Sequence, residues 1–395
     1  MAAVFSNAGE LTIDATEERG KIRKLASKTP VPLAGLMLGL SSVGNMVPDL
    51  RWFFGFFAFT ILAILITKFT LDTKALREEF KNPAIAGISC TMTMATSVLS
   101  TYLKPYSIEA AVGMWVSAMI VHLGFMAYFT WSFVIRFDPK KCLPCYFVVY
   151  VGFAVNAFIA PVYGYFEFGQ ALFWFGLASL ILLLPPLAYR TLVVKGLPDA
   201  LVPTIMIFAA PANVCLNAYL KAFPSPDQVM VWTLFAAACV LYASCMVILP
   251  RILRLPFFPS YSSLTFPLAI SGIATSATYQ YFLDAGNDMP VLQYLAWLQV
   301  AMAVGFALYV LVRYIHHFIV KPTMAVRAMG AIATEHAGPA MSPKGGQDRA
   351  PELSAAHRPR AGHGHLRPLL IAPASIIPSL QHHIGNLRSR RSRRR

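Results

Sequence analysis

Few side chains in this sequence are equipped for covalent chemistry, and they are scattered. Cys142-Leu-Pro-Cys145 has the spacing of redox and metal-binding pairs, but it opens an apolar segment, with no βαβ context and no second ligand pair. His122 lies in the middle of another apolar segment and Glu109 near the end of the same one. Ionisable groups in a membrane can relay protons; a hydrogen bond from His122 to a neighbouring helix and simple hydration of Glu109 are the plainer accounts. His363-Gly-His365 and His382-His383 stand in a polar tail that offers a metal no more than adventitious binding. There is no HExxH, no GxSxG, no phosphate loop and no pair of carboxylates within the apolar segments. No enzyme chemistry, cofactor or metal site is expected, and an integral-membrane enzyme is only the third reading.

Ser263-Leu-Thr-Phe-Pro-Leu-Ala-Ile-Ser-Gly-Ile-Ala-Thr-Ser-Ala277 points to work of another kind. It is apolar enough to enter a bilayer, yet it carries Ser263, Thr265, Ser271, Thr275 and Ser276 together with Pro267 and Gly272. Pro267 has no amide hydrogen and crowds the preceding turn, so a helix here is expected to bend and free a carbonyl. In lipid, irregular backbone persists only where protein or a water-filled cavity satisfies it. Phe266, directly before the break, adds a bulky ring beside the hydroxyls. Two readings stay open. One is the lining of a narrow pathway with one large plug; the other is a kinked helix packed on its neighbours, its hydroxyls bonded to its own carbonyls.

The rest of the chain is built to hold such a stretch in a membrane. Of 395 residues, 57% are hydrophobic and only 13% charged, about half the charge of a soluble domain. Roughly 20 mostly apolar residues cross a bilayer as a helix, and ten such spans are predicted, near 30–47, 51–70, 83–103, 108–135, 144–162, 167–188, 199–220, 228–249, 260–282 and 290–315. Met1 to Lys28 is polar, without the apolar core of a signal peptide, so the first span is expected to act as its own insertion signal. Lys and Arg favour the N-terminal tail and the even-numbered loops, whereas the odd-numbered loops hold only Arg51, Lys104 and Lys221. That asymmetry predicts both termini in the cytoplasm and an even number of spans. The six cysteines mostly lie within apolar spans, as small hydrophobes rather than a disulfide framework.

The spans also alternate in character. Odd-numbered ones are rich in Pro, Gly and hydroxyls, including Gly35 and Gly39, Gly152, and Pro211. Even-numbered ones are bulkier, as in Phe53-Phe54-Gly55-Phe56-Phe57. Small and polar residues suit close helix packing and water; bulky apolar ones suit lipid. The expected fold is an all-α polytopic membrane protein, its ten transmembrane helices arranged as five helical hairpins around a central pore. Residues 1–29 form an N-terminal tail, 30–320 the transmembrane domain, and 321–395 a basic tail expected to be disordered. From Arg327 onward, 12 Lys/Arg against Glu335, Asp348 and Glu352 account for +9 of the net +15. The tail's Arg cluster could meet anionic lipid, and no specific nucleic-acid partner is expected.

Pro30-Val-Pro-Leu-Ala-Gly-Leu-Met-Leu-Gly-Leu40, Ile207-Phe-Ala-Ala-Pro-Ala-Asn213 and Leu264-Thr-Phe-Pro-Leu-Ala-Ile270 resemble the first, seventh and ninth helices of the tellurite-resistance/dicarboxylate transporter family, in the superfamily of the slow-type anion channels. The resemblance covers roughly residues 28–320. It implies a pore lined by the odd-numbered helices and closed by a phenylalanine on the ninth, here Phe266. It also implies a homotrimer with one pore per subunit, set in the cell (inner or plasma) membrane and carrying small anions such as C4-dicarboxylates, sulfite, tellurite-related or inorganic anions. Thr265, Pro267, Gly35, Gly39, Pro211 and Gly152 are the candidate lining and kink positions. The odd-numbered spans have no evident Arg or Lys at mid-depth, which favours throughput over tight capture. A proton-coupled dicarboxylate carrier is the runner-up, and it would need His122 or Glu109 to titrate.

Overall fold

The computed structural model describes residues 27–135 and 142–320. Residues 1–26, the loop residues Arg136, Lys140 and Lys141, and the C-terminal tail with its histidines and Arg cluster lie outside the described residues. Helices α1 (Leu33–Met46), α2 (Pro48–Leu71), α3 (Pro83–Leu103), α4 (Ile108–Val134) and α5 (Cys145–Tyr163) make up the first half. Helices α6 (Phe166–Val194), α7 (Asp199–Ala222), α8 (Gln228–Leu253), α9 (Thr265–Asp284) and α10 (Pro290–Phe318) complete the bundle. No strand occurs among the described residues, and the protein is an all-α polytopic membrane protein. Eight of these helices are long and apolar enough to cross a membrane. The other two are α1, only 14 residues long, and α9, whose hydroxyls dilute its apolar character.

Burial alternates along the chain. The apolar windows of α3, α5 and α7 are 72%, 78% and 72% buried, whereas those of α2, α4, α6, α8 and α10 are between 28% and 39% buried. Helix α1 is buried without interruption from Ala34 to Gly44, and α9 from Thr265 to Gly272. The exposed sides carry Phe56, Ile120, Leu182, Val247 and Val291, the surface a bilayer requires. Odd-numbered helices thus form the inside and even-numbered ones the outside, as the residue types demand.

Local chemistry sets the helix starts. Asn82 accepts from Ala84 N ahead of Pro83, Ser107 from Ala110 N, and Asp227 from Met230 N, each satisfying an amide that the first turn leaves free. At the far end of α2, Lys68 is fully buried. It donates to the Thr29 carbonyl at 2.6 Å and pairs with Glu79 at 2.8 Å, clasping the approach to α1 against the short helix Thr73–Glu79.

Within the buried helices, α-geometry gives way to tighter 3-10 turns at Val151–Ala154, Ala160–Tyr163 and Asp199–Ala209, and at Pro259–Leu264 just before α9. Pro267 is the third residue of α9, and the amide hydrogen it lacks would have reached back into the 3-10 turn Pro259–Leu264. The change of geometry comes earlier, where the 3-10 turn ends at Leu264. Pro211 plays a related part, as the first residue of the α-helical half of α7.

Candidate functional site

Three cavities lie in sequence along the buried helices, and each shares residues with the next. The widest, about 560 Å³, is lined by Asn45, Thr101, Asn217, Lys221, Ser276 and Gln280 among others, and ends at Phe266. Phe266 also lines the second, a chamber of about 40 Å³ bordered by Gly35, Thr91, Met94, Phe147, Gly152, Pro211 and Pro267. Every odd-numbered helix contributes to that chamber. Ile88 and Ser263 pass from it into the third cavity, about 190 Å³, which reaches Pro32, Asn82, Thr204 and Ser260. A water needs roughly 10–15 Å³ of such space, so the middle chamber holds only a few waters or one small ion.

Phe266 is 6% exposed and stands where the wide cavity and the small chamber meet. Its position follows from how closely α1 and α9 approach. A Cβ on Gly35 would fall 2.9 Å from Ser262 Oγ, and one on Gly39 would overlap the Thr265 side chain and come within 3.2 Å of Phe266 N. The two glycines let α9 lie directly on α1. Thr265 donates to the Gly35 carbonyl at 3.0 Å and the Ser262 carbonyl at 2.8 Å, bonding the two helices together.

The expected lining set therefore divides. Phe266, Pro267, Gly35, Gly152 and Pro211 border the small chamber. Gly39 and Thr265 border none of the three cavities and belong to the α1–α9 contact. The hydroxyls of α9 divide too. Ser271 donates to the Pro267 carbonyl and Thr278 to the Ala274 carbonyl, whereas Ser263 and Ser276 face cavities. Asn213 joins α7 to α9 by donating to Ser271 Oγ at 2.9 Å.

The other candidates lie off this line. His122 is buried, with Nδ1 2.7 Å from Thr93 Oγ1 and Nε2 donating to the Val149 carbonyl at 3.0 Å. Both ring nitrogens are thus occupied by α3 and α5. Glu109 is exposed at the start of α4, where it accepts from Ser107 Oγ at 2.9 Å. Cys142 and Cys145 are buried free thiols. Burial pushes the Cys142 thiol up, which keeps it protonated and a poor nucleophile, and Cys145 Sγ contacts the Pro83 carbonyl. No group of three or more potential metal ligands occurs among the described residues.

Two residues at the wide cavity carry more than the sequence suggests. Among the described residues, Lys221 is the sole ionic one lining the three cavities. Asn217, one helical turn earlier, borders the same cavity. Lys221 reads as a loop charge because hydropathy fades near residue 220, but α7 continues to Ala222.

Residues 32–318 match the sequence model of a family described as voltage-dependent anion channel. No curated protein matches the chain.

Proposed function

The chain belongs to the voltage-dependent anion channel family, and from that premise we propose that it carries small anions along the line of three cavities, with Phe266 closing the passage. The observation that carries this reading is that Phe266 is the residue shared by the wide cavity and the small chamber. An anion travelling along the line has to displace that ring. The lining supports the sign of the ion, since among the described residues no carboxylate borders any of the three cavities and Lys221 borders the widest.

On the same reading, α1 and α9 count as membrane helices, giving ten spans in five hairpins with both termini in the cytoplasm. The loop charges support that orientation, and the resemblance supports a homotrimer in the cell membrane. Candidate cargoes are chloride, nitrate, sulfite, tellurite-related anions and C4-dicarboxylates. Proton coupling is the less favoured mechanism: His122 is engaged at both nitrogens and Glu109 is exposed at a helix start, and neither borders the three cavities.

The test is flux through reconstituted liposomes for wild type and Phe266→Ala, with chloride, nitrate, sulfite and malate in parallel. A large gain in the variant supports the passage, and the order of rates names the cargo. A folded variant that gains flux for none of the anions removes Phe266 as the closing residue.

A further inference from the structure

Arg313, near the end of α10, is held by aromatic rings rather than by oxygen atoms. Its guanidinium carbon lies 5.5 Å from the centre of the Phe257 ring, 5.8 Å from that of Tyr261 and 5.6 Å from that of Tyr309. All three lie within the range at which an aromatic face attracts a cation. The rings hold the charge but offer its forked N–H donors no oxygen. Among the described residues the guanidinium makes no hydrogen bond and no ion pair, and the residue is only half-buried. Two more cations stand at the same corner. The Tyr261 hydroxyl is shared between the carbonyls of Ile252 and Leu255, at 2.6 and 2.9 Å, which fixes the ring cage against the end of α8. Arg251 and Arg254 adjoin those two residues, and both are exposed. Beside them Leu253 and Val312 are exposed too, apolar surface of the kind that lipid tails cover. Cations and apolar surface thus meet at the end of the bundle that the loop charges assign to the cytoplasm, where a bilayer passes from tails to headgroups.

We propose that this corner binds the phosphate of an anionic phospholipid, with Arg313 taking two of its oxygens through the guanidinium fork and Arg251 and Arg254 supplying further positive charge. A guanidinium meets a phosphate with two parallel N–H···O bonds, where an ammonium acts as a point charge. The ring cage places the fork before the lipid arrives, so little side-chain freedom is lost on binding. Loop charges that only orient a chain in the membrane need no such cage. An anionic headgroup supplies the oxygens that the fork lacks, and the cytoplasmic leaflet is where such lipids concentrate. None of the three arginines borders the cavities, so the site does not depend on what passes along them.

The test is thermal melting of the full chain in a neutral detergent, titrated with phosphatidylglycerol, phosphatidylcholine or inorganic phosphate. Phosphatidylglycerol should raise the melting temperature to a plateau, and the other two should not. The midpoint of that titration should move to about tenfold more lipid in Arg313→Gln, the scale of a lost charged hydrogen bond. It should move about threefold in Arg313→Lys, which keeps the charge and loses the fork. Arg77→Gln removes an exposed charge from the short helix Thr73–Glu79 and should leave the midpoint where it is. The C-terminal Arg cluster is common to every variant and cancels in the comparison. If Arg313→Gln does not fold, Arg313→Lys still decides. A midpoint in Arg313→Lys equal to wild type, or one that moves as far in Arg77→Gln, overturns the site. So does an equal plateau with phosphatidylcholine, and an equal one with inorganic phosphate overturns the lipid as its source. No anion flux enters these measurements, so this proposal and the transport reading fail separately.

Discussion

Gly39 on α1 and Thr265 on α9 meet so closely that a single added methyl on the glycine would overlap the threonine side chain. The contact lies beside the Phe266 amide, so the depth at which the ring sits depends on the absence of a side chain in another helix. Gly39→Ala is expected to lower stability by about 1–3 kcal/mol, the usual cost of overpacking. It should also alter anion flux, because α9 must move to relieve the overlap. Thermal melting in detergent reads the first effect and liposome flux the second. Thr265→Gly, added to Gly39→Ala, should restore part of both; no restoration would mean that the strain lies elsewhere.

Removing the ring itself should open the passage. Phe266→Ala is expected to raise flux about tenfold or more, equivalent to about 1.4 kcal/mol or more off the barrier. Phe266→Leu should fall between the variant and wild type. Monodispersity on size exclusion checks that both chains are folded.

His122 is expected to matter for stability and little for transport. His122→Ala removes two hydrogen bonds to α3 and α5 and leaves a cavity, at a cost of roughly 2–4 kcal/mol. His122→Gln should keep flux within about twofold of wild type, since it can still donate to Val149 (on the net scale of about one hydrogen bond). An imposed pH gradient should leave anion flux unchanged. Flux that follows the gradient and vanishes in His122→Gln would restore the proton-coupled carrier.

The clasp at Lys68 makes a separate prediction. Lys68→Ala leaves the Thr29 carbonyl and Glu79 without their cation, and should cost about 1–3 kcal/mol. Glu79→Gln should cost less, because Glu79 is partly exposed and Lys68 keeps its carbonyl partner. Melting curves for both variants at equal ionic strength rank the two losses.

Much of this architecture is legible in the sequence because lipid and protein interiors select different residues. Phe53 to Phe57 can face hydrocarbon; Gly35, Gly39 and Thr265 cannot fill that role, and their helices go inside. Which small residue packs and which lines a cavity is not legible, since both roles favour the same types. Gly35 and Gly39 look alike in the sequence, and one helical turn separates the chamber wall from the helix contact. Pro267 marks a break in regular helix, but the sequence does not say that the break is a change from 3-10 to α geometry at Leu264. Lys221 is concealed by hydropathy, which weakens before the helix ends.

The 3-10 stretch Asp199–Ala209 has one further consequence. Runs of that geometry longer than three or four residues are uncommon, and three residues complete a turn. Leu201, Thr204, Ile207 and Ala210 therefore stand in one straight column, and all four border the cavities. An α-helix would swing this row away within two turns; here it runs along the cavities for roughly 18 Å. Deleting one residue between Thr204 and Ile207 would turn the two halves of the segment about a third of a turn against each other and break the row.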